Sequence, residues 1–377
     1  VHMVKKPGAA EGAPKYRITV DYRALNAATT QVRYDPPRID DVVARACGSR
    51  FFSSFDLRDA FLYLELNPDD VHKTAFTALG KRYVFLRAAL GLKNSPAIFQ
   101  SVLSEILGGI PGVVVYADDC FVMSKTAEEH ESSVLEVLKR LLAARARLST
   151  HKTQLCLPSI KCLGWQLDGE GFEPTDADRR AFATRDPPSN RIELESLVGA
   201  LVHYSRFVPH MTELMRPLSL LRRRKPLVFA RHWTAEHDAA FAECCTAVDQ
   251  CQALQHARPD GGPFILQVDA SDVAMGCALM QGEQTLRHWS RAFTDPQSAY
   301  SVRDRELYAI HQAVNAFRPY CIDKFVVRTD HANNVQLLGS EARARAEKIS
   351  PKARRWVLDL AERDFSIEHV PGSDLSL

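Results

Sequence analysis

The nine cysteines contain no CxxC pair and no zinc-finger spacing, and their odd number and scatter, at 47, 120, 156, 162, 244, 245 and 251 among others, supply no disulfide framework. A reducing compartment is expected from that usage. No apolar run near either end approaches the roughly 18 residues of a membrane span, and Val1-His2-Met3-Val4 lacks the apolar segment of a signal peptide. The expectation is an intracellular chain without a membrane partner, starting abruptly. Charge of one sign is missing as well: 48 Lys and Arg face 46 Asp and Glu, a net charge of +2. That excludes the global basic field of a polybasic binder, so any nucleic-acid contact must be local. There is no internal repeat or low-complexity tract, and Gly8–Pro14 reads as a loop. What is present, 377 residues with 46% hydrophobic and 25% charged content, is a folded chain of two or three domains.

From Tyr16 to about Gly171, short apolar runs such as Phe51-Phe52-Ser53-Ser54-Phe55 and Val113-Val114-Val115-Tyr116 alternate with helix-like stretches, a mixed α+β pattern. Within Glu128–Leu148, apolar Val134, Leu135, Val137, Leu138, Leu141 and Leu142 recur at helical spacing opposite Glu and Arg, which predicts a helix packed on a sheet. Residues from Pro174 to about Arg258 read as a mostly helical connector, with segments Glu193–Val208 and Ala235–Cys251 and the basic run Arg222-Arg223-Arg224-Lys225. A strand-rich piece then opens at Pro263–Val268 and continues through a helix over Arg303–Phe317 and a strand over Phe325–Arg328, a separate α/β domain.

Two groups of acids stand out. Asp118 and Asp119 lie between the apolar runs Val113–Tyr116 and Cys120–Met123; alone, the pair is equally an ordinary hairpin turn. Asp56 ends another strand pattern some sixty residues upstream, and a third carboxylate changes the balance. Clustered acids repel, and one keeps a proton unless a cation sits between them. The hard cation for that role is Mg²⁺, and two ions about 4 Å apart can stabilise both attacking and leaving oxygens in phosphoryl transfer.

Tyr116-Ala117-Asp118-Asp119, the Asp56-to-Phe61 segment, Leu92-Lys93-Asn94-Ser95-Pro96-Ala97-Ile98-Phe99-Gln100 and Tyr16–Asn26 together resemble a reverse transcriptase of the Ty3/gypsy class of long-terminal-repeat retrotransposons. Order and spacing agree as well as letters. Cys162-Leu163-Gly164-Trp165 resembles that family's primer-gripping hairpin, and Val198–Phe207 its connection segment. The resemblance implies an α+β multidomain chain: right-hand polymerase fingers and palm over 1–173, a mostly helical thumb or connection over 174–260, and a ribonuclease H-like domain over 261–377.

Its implied roles are specific. Asp56 and Asp118 would hold Mg²⁺, with Mn²⁺ as a substitute, and Asp119 would tune the site. Arg17 and one of Lys5, Lys6 or Lys15 would clamp the triphosphate, Lys15 being the first choice, with the backbone amides of Asp59 and Ala60 adding hydrogen bonds. Phe61 would stack under the sugar and exclude a ribose 2′-hydroxyl; without the family pattern it is a core aromatic. Leu90 stands where relatives more often carry Phe or Gln near the nucleotide. Lys152 sits where the family often has a lysine able to protonate pyrophosphate; a solvated surface lysine is the alternative. Leu163, Gly164 and Trp165 would grip the primer.

In the C-terminal piece, Phe264–Asp269 and Lys324–Asp330 are apolar strands ending in Asp, with a helix between them. At about 100° per residue, Glu306 falls beside the Leu307 and Val314 stripe rather than on the solvent side. A bare carboxylate there is unfavourable enough to imply a cationic partner. Asp269, Glu306 and Asp330 resemble the metal-binding acids of a ribonuclease H fold, which in the family cleaves the RNA strand of an RNA–DNA hybrid. The family's last metal-binding aspartate lies further past a Pro-Gly than Asp374 lies past Gly372, so Asp374 is either that residue drawn close or a stand-in before a clipped end. The strand at Val4-Lys5-Lys6 likewise suggests a clipped start.

The sequence therefore leads to an RNA-directed DNA polymerase with ribonuclease H activity, acting on RNA template, DNA primer, hybrid and deoxynucleoside triphosphates. Other Pol and Gag products are expected as partners, in a cytoplasmic virus-like particle and the nucleus. Duplex contacts are expected from Arg222–Lys225, from Arg343, Arg345 and Lys348, and from Lys352, Arg354 and Arg355. His331, Asn333 and Asn334 would either touch the hybrid or cap a helix. The competing reading is a decayed or domesticated element that persists as a nucleic-acid-binding scaffold.

Overall fold

The computed structural model describes residues 2–5, 16–34, 37, 39–226, 228–339 and 349–375. Lys6, Lys15, Arg343, Arg345 and Lys348 lie outside the described residues, as do the side chains of Lys5 and Arg17. By compactness the chain divides into Val1–Leu163 with Leu167–Gly169, and Gly164–Gln166 with Glu170–Leu377.

The first unit is built on a four-stranded antiparallel sheet in the order Val113–Tyr116, Asp119–Ser124, Phe51–Asp56, Gln154–Leu157. Alternation puts Phe55, Val113, Val115, Cys120 and Val122 on one face, where they close a core with Phe99, Leu103 and Leu107 of helix Ser95–Leu107 and Val137 and Leu141 of helix Ala127–Ala143. The second helix starts on a capping box, with Thr126 accepting from the Glu129 amide and Glu129 reaching back to the Thr126 amide. Periodicity predicts this helix as far as Leu148, but it stops at Ala143 because Arg145 turns to φ 55° and Leu148 instead bridges Leu57 at the sheet. The segments 21–26 and 91–94 are tied together: Asn26 Nδ2 donates to the Gly91 carbonyl at 2.8 Å and Asn26 Oδ1 accepts from the Lys93 amide at 2.8 Å.

The second unit begins with helices, Asp176–Ala183, Arg191–Tyr204, Met211–Leu214, Arg216–Arg223, Phe229–His232 and Ala235–Asp249. A five-stranded sheet follows, in the order Gln284–Ala292, Ala274–Gln281, Phe264–Ala270, Phe325–Thr329, Phe365–His369. The first three strands pair antiparallel and the last three parallel. Helix Val302–Ala316 lies on this sheet, burying Leu307, Ala309, Ile310, Ala313 and Val314 against Leu266, Val268 and Val327. Glu213 and Thr212 of the helical part touch the sheet: Glu213 accepts from the Ser271 hydroxyl and Thr212 Oγ1 lies 2.7 Å from Ser290 Oγ. All nine cysteines are free thiols, and among the described residues no helix is long and apolar enough to cross a membrane.

Candidate functional site

The first acidic group grows directly out of sheet register. Strands Phe51–Asp56 and Asp119–Ser124 run antiparallel, and their last rung pairs Asp56 with Asp119. Tyr116 pairs with Asp119 across the hairpin, leaving Ala117 and Asp118 as a two-residue turn with Ala117 at φ 55°. Asp56, Asp118 and Asp119 therefore lie at one end of the sheet, Asp118 exposed and the other two half-buried, without the mutual convergence of oxygens found in the second group. Burial is the largest influence on Asp119, followed by the charges of Asp118 and Asp56; together they push its carboxyl up to about 6 against the opposing pull of Lys152. Lys152 Nζ lies 3.3 Å from Asp56 Oδ1. A carboxyl pushed up this far by burial and two neighbouring carboxylates is an electrostatic cost that a bound cation would relieve.

Around it, Asp59 adopts φ 54° and opens the short 3₁₀ turn Ala60–Tyr63. Phe61 packs edge-on against Phe99, centroids 5.9 Å apart, as a partly buried residue on the core. Leu90 is exposed, next to buried Ala88 and Ala89. Leu163 and Gly164 take left-handed φ values of 54° and 86°, the backbone of a tight turn. Trp165 departs from its expected role. It is 1% exposed, stacked on His203 at 3.9 Å and flanked by Phe207, so its side chain belongs to a core and is not presented to a primer.

The second acidic group is tighter. Parallel pairing of Ile265 with Val326 and Gln267 with Arg328 carries Asp269 and Asp330 to the same end of neighbouring strands. Helix Val302–Ala316, started by Ser301 accepting from the Asp304 amide, places Glu306 beneath them, 4% exposed and with Oε2 unpartnered. Ligand oxygens of Asp269, Glu306 and Asp330 all lie within 4.8 Å of one another, the one such group among the described residues. Burial, then the charges of Asp269 and Asp330, push Glu306 up to about 8, and burial and Asp330 also raise Asp269. Three converging carboxylates, one with a buried oxygen lacking any donor, fit a divalent cation well.

Asp374 does not join them. It ends the turn Gly372–Asp374 and accepts from its neighbour Ser373 at 3.0 Å; the residue that approaches the acids is Gly372, where a Cβ would lie 3.1 Å from Asp330 Oδ2. His331 caps helix Ala332–Leu338, its Nδ1 accepting from the Asn334 amide at 3.3 Å, and Asn334 is buried, so the capping role is the one observed. Of the basic runs, Arg223, Arg224, Lys225, Arg354 and Arg355 are exposed, while Lys352 Nζ sits 2.9 Å from the centre of the Tyr300 ring. One residue of the Leu92–Gln100 motif has a contact to which the sequence reading gave no role. Gln100, buried on the apolar face of helix Ser95–Leu107 beside Phe99 and Leu103, bonds to the hairpin that carries Asp118. A lone amide on an apolar helical stripe was the available signal.

A family model for reverse transcriptase (RNA-dependent DNA polymerase) matches residues 4–167, and one for the RNase H-like domain found in reverse transcriptase matches residues 260–363. The chain is 28% identical over 382 residues to the retrovirus-related Pol polyprotein from transposon 297 of Drosophila melanogaster, covering 99% of this chain and 35% of that protein. It is 28% identical over 367 residues to the transposon Tf2-3 polyprotein of Schizosaccharomyces pombe, covering 95% of this chain and 27% of that one. The chain thus spans about a third of the length of the curated relatives it matches. Among solved structures, a foamy viral protease-reverse transcriptase in complex with dsDNA superposes with a TM-score of 0.82 at 23% identity, covering 98% of this chain and 77% of that one. The foamy viral protease-reverse transcriptase in complex with an RNA/DNA hybrid gives 0.76 at 23% identity, over 96% of this chain and 49% of that one.

Proposed function

The chain belongs to the reverse transcriptases of Ty3/gypsy-type retrotransposons, with a reverse transcriptase domain and an RNase H-like domain in one polypeptide, and from that premise we propose that it copies RNA into DNA and degrades the RNA strand of the resulting hybrid. The observation that carries this reading is the pair of acidic groups, each at the end of strands in a different unit and each with a carboxyl held well above its ordinary range.

Synthesis is attack of a primer 3′-hydroxyl on the α-phosphate of a deoxynucleoside triphosphate. Asp56 and Asp118 would hold Mg²⁺ or Mn²⁺, with Asp119 beside them, and the bound ions would supply charge for the attacking and leaving oxygens. Lys152 would hand a proton to pyrophosphate once Asp56 no longer engages it. Arg17, Lys15 and the amides of Asp59 and Ala60 would hold the triphosphate. Phe61 would lie against the sugar and reject a 2′-hydroxyl; Leu90 would border the nucleotide. Leu163 and Gly164 would bear on the primer backbone. In the second unit Asp269, Glu306 and Asp330 would hold the metal ions that serve hydrolysis. The structural relatives were solved with double-stranded DNA and an RNA/DNA hybrid, which supports the same duplexes as ligands here. Contacts to arbitrary sequence must be with phosphates, so binding is expected to weaken steeply with salt. The proposed domain limits are 1–173, 174–260 and 261–377. Pol and Gag products remain the proposed partners, in a cytoplasmic particle and the nucleus.

The test is extension of a primed homopolymer RNA with labelled deoxynucleotide in Mg²⁺. Asp118→Asn is expected to lower incorporation by about 10³-fold, the scale of several kcal/mol of lost charge stabilisation. Glu306→Gln is expected to stop cleavage of hybrid RNA and spare synthesis. A wild-type chain that binds hybrid but neither extends nor cleaves it would leave the scaffold reading in place.

A further inference from the structure

Among the described residues, the strand that leads into the Ala117-Asp118 turn has no neighbour on its outer side. Val113–Tyr116 is the edge strand of its sheet, paired only with Asp119–Ser124. An edge strand leaves alternate carbonyl and amide groups without a ladder partner, and here they occur where the turn begins. Val115 is buried and its carbonyl needs a partner, and Ala117, at φ 55°, takes a backbone conformation that a residue with a Cβ rarely adopts. Such a conformation persists only where its surroundings fix it.

Gln100 supplies what is missing. Its side chain, 3% exposed, donates from Nε2 to the Val115 carbonyl at 2.9 Å, and its Oε1 accepts from the Ala117 amide. A second contact from Nε2 to Ser104 Oγ at 3.4 Å fixes the amide on its own helix. A carboxamide offers one acceptor and a donor in the planar arrangement of a peptide group, so it imitates one residue of an absent strand. The groups it holds immediately precede Asp118.

We propose that Gln100 is a positioning residue of the polymerase centre: by standing in for the missing neighbour of the edge strand, it fixes the Ala117-Asp118 turn and so holds Asp118 at the sheet end that carries Asp56 and Asp119. The inference rests on the polymerase reading of those acids. It assigns Gln100 no contact with substrate. Losing it frees the turn and spreads Asp118 over several orientations, and displacement on the 1 Å scale at a reacting centre can cost on the order of 10²-fold in rate.

The experiment compares full-length wild type with Gln100→Met and Gln100→Glu in single-turnover primer extension. Gln100→Met keeps length and loses both hydrogen bonds. It should lower the maximal rate by about 10–100-fold and raise the half-saturating Mg²⁺ concentration several-fold. The nucleotide KM should change far less, and cleavage of hybrid RNA should be unchanged. Gln100→Glu keeps an acceptor for Ala117 but offers Val115 a donor only when protonated, so its rate relative to wild type should climb as pH falls from 8 to 6. An unchanged rate and Mg²⁺ requirement in Gln100→Met overturns the proposal. If Gln100→Met also loses cleavage and melts early, Gln100→Glu decides, and a deficit independent of pH overturns it. Absence of synthesis by the wild-type chain would instead remove the polymerase reading itself.

Discussion

Lys152 already occupies the carboxylate that an incoming ion would need: its Nζ lies 3.3 Å from Asp56 Oδ1. Both side chains reach solvent, so the pair contributes little to stability, but its position matters for function. An ammonium at that distance repels a divalent cation, and a divalent cation displaces it. Replacing Lys152 by Met should therefore lower the Mg²⁺ concentration for half-maximal synthesis by a few-fold while slowing the maximal rate by about 10–10³-fold through loss of a proton donor. A metal titration of single-turnover extension separates the two effects. Equal metal requirement in both proteins would show that the contact has no bearing on ion binding.

Phe61 is braced rather than free, its ring edge-on to Phe99 at 5.9 Å and partly sunk in the core. A braced aromatic excludes by bulk, because it cannot swing aside to admit an extra hydroxyl. Phe61→Ala should reduce discrimination against ribonucleotides by about 10–100-fold, in keeping with what steric selection by a pocket wall can deliver. The ratio of extension efficiencies for matched deoxy- and ribonucleotides is the measurement. Discrimination retained in Phe61→Ala would return the residue to a purely packing role.

Register and periodicity made the acids legible in the sequence. Apolar alternation placed Asp56, Asp119 and Asp269 at strand ends, and helical spacing placed Glu306 on the buried side of its helix, which is where each is found. Tertiary relations were not legible. Trp165 could not be told from an exposed gripping residue because its burial depends on His203 and Phe207, some forty residues away. Asp374 stood closer to Pro371-Gly372 than the family's aspartate does, and the turn Gly372–Asp374 leaves it bonded to Ser373. Gln100 went unassigned because an edge strand's missing partner exists only once the sheet order is known. Leu148 left its predicted helix for a bridge to Leu57 for the same kind of reason.

Glu306 makes the metal-free protein sensitive to pH in a definite direction. Its carboxyl, raised from an ordinary 4.5 to about 8, keeps a proton in the folded chain that the unfolded chain releases. The stability this gives is fully present below about 4.5 and is lost as pH rises through 8, at a limiting slope of about 1.4 kcal/mol per pH unit. Glu306→Gln cannot release that proton. In EDTA the variant should melt increasingly above wild type between pH 5 and pH 8, and Mg²⁺ should narrow the gap by giving the carboxylate a partner. Melting curves at the two pH values are sufficient. A gap of the same size at both would mean that Glu306 is not the group that titrates.

Gly372 is the residue through which the closing segment approaches Asp330. A Cβ there would stand 3.1 Å from Asp330 Oδ2, closer than carbon and oxygen normally approach, so the carboxylate or the turn must yield by a few tenths of an ångström. Asp330 is exposed and can rotate, whereas the backbone behind Gly372 is held by the Asp374 amide donating to the Pro371 carbonyl at 2.9 Å. The carboxylate is therefore the part that moves, which disturbs its grouping with Asp269 and Glu306. Gly372→Ala should lower cleavage of hybrid RNA by about 3–10-fold, a fraction of the loss that a 1 Å displacement produces, and should leave DNA synthesis at the wild-type rate. Ser373→Ala, which removes only the hydroxyl bonded to Asp374, should leave cleavage unchanged. Wild-type cleavage by Gly372→Ala, or an equal loss in Ser373→Ala, would show that Asp330 does not depend on the space this glycine leaves open.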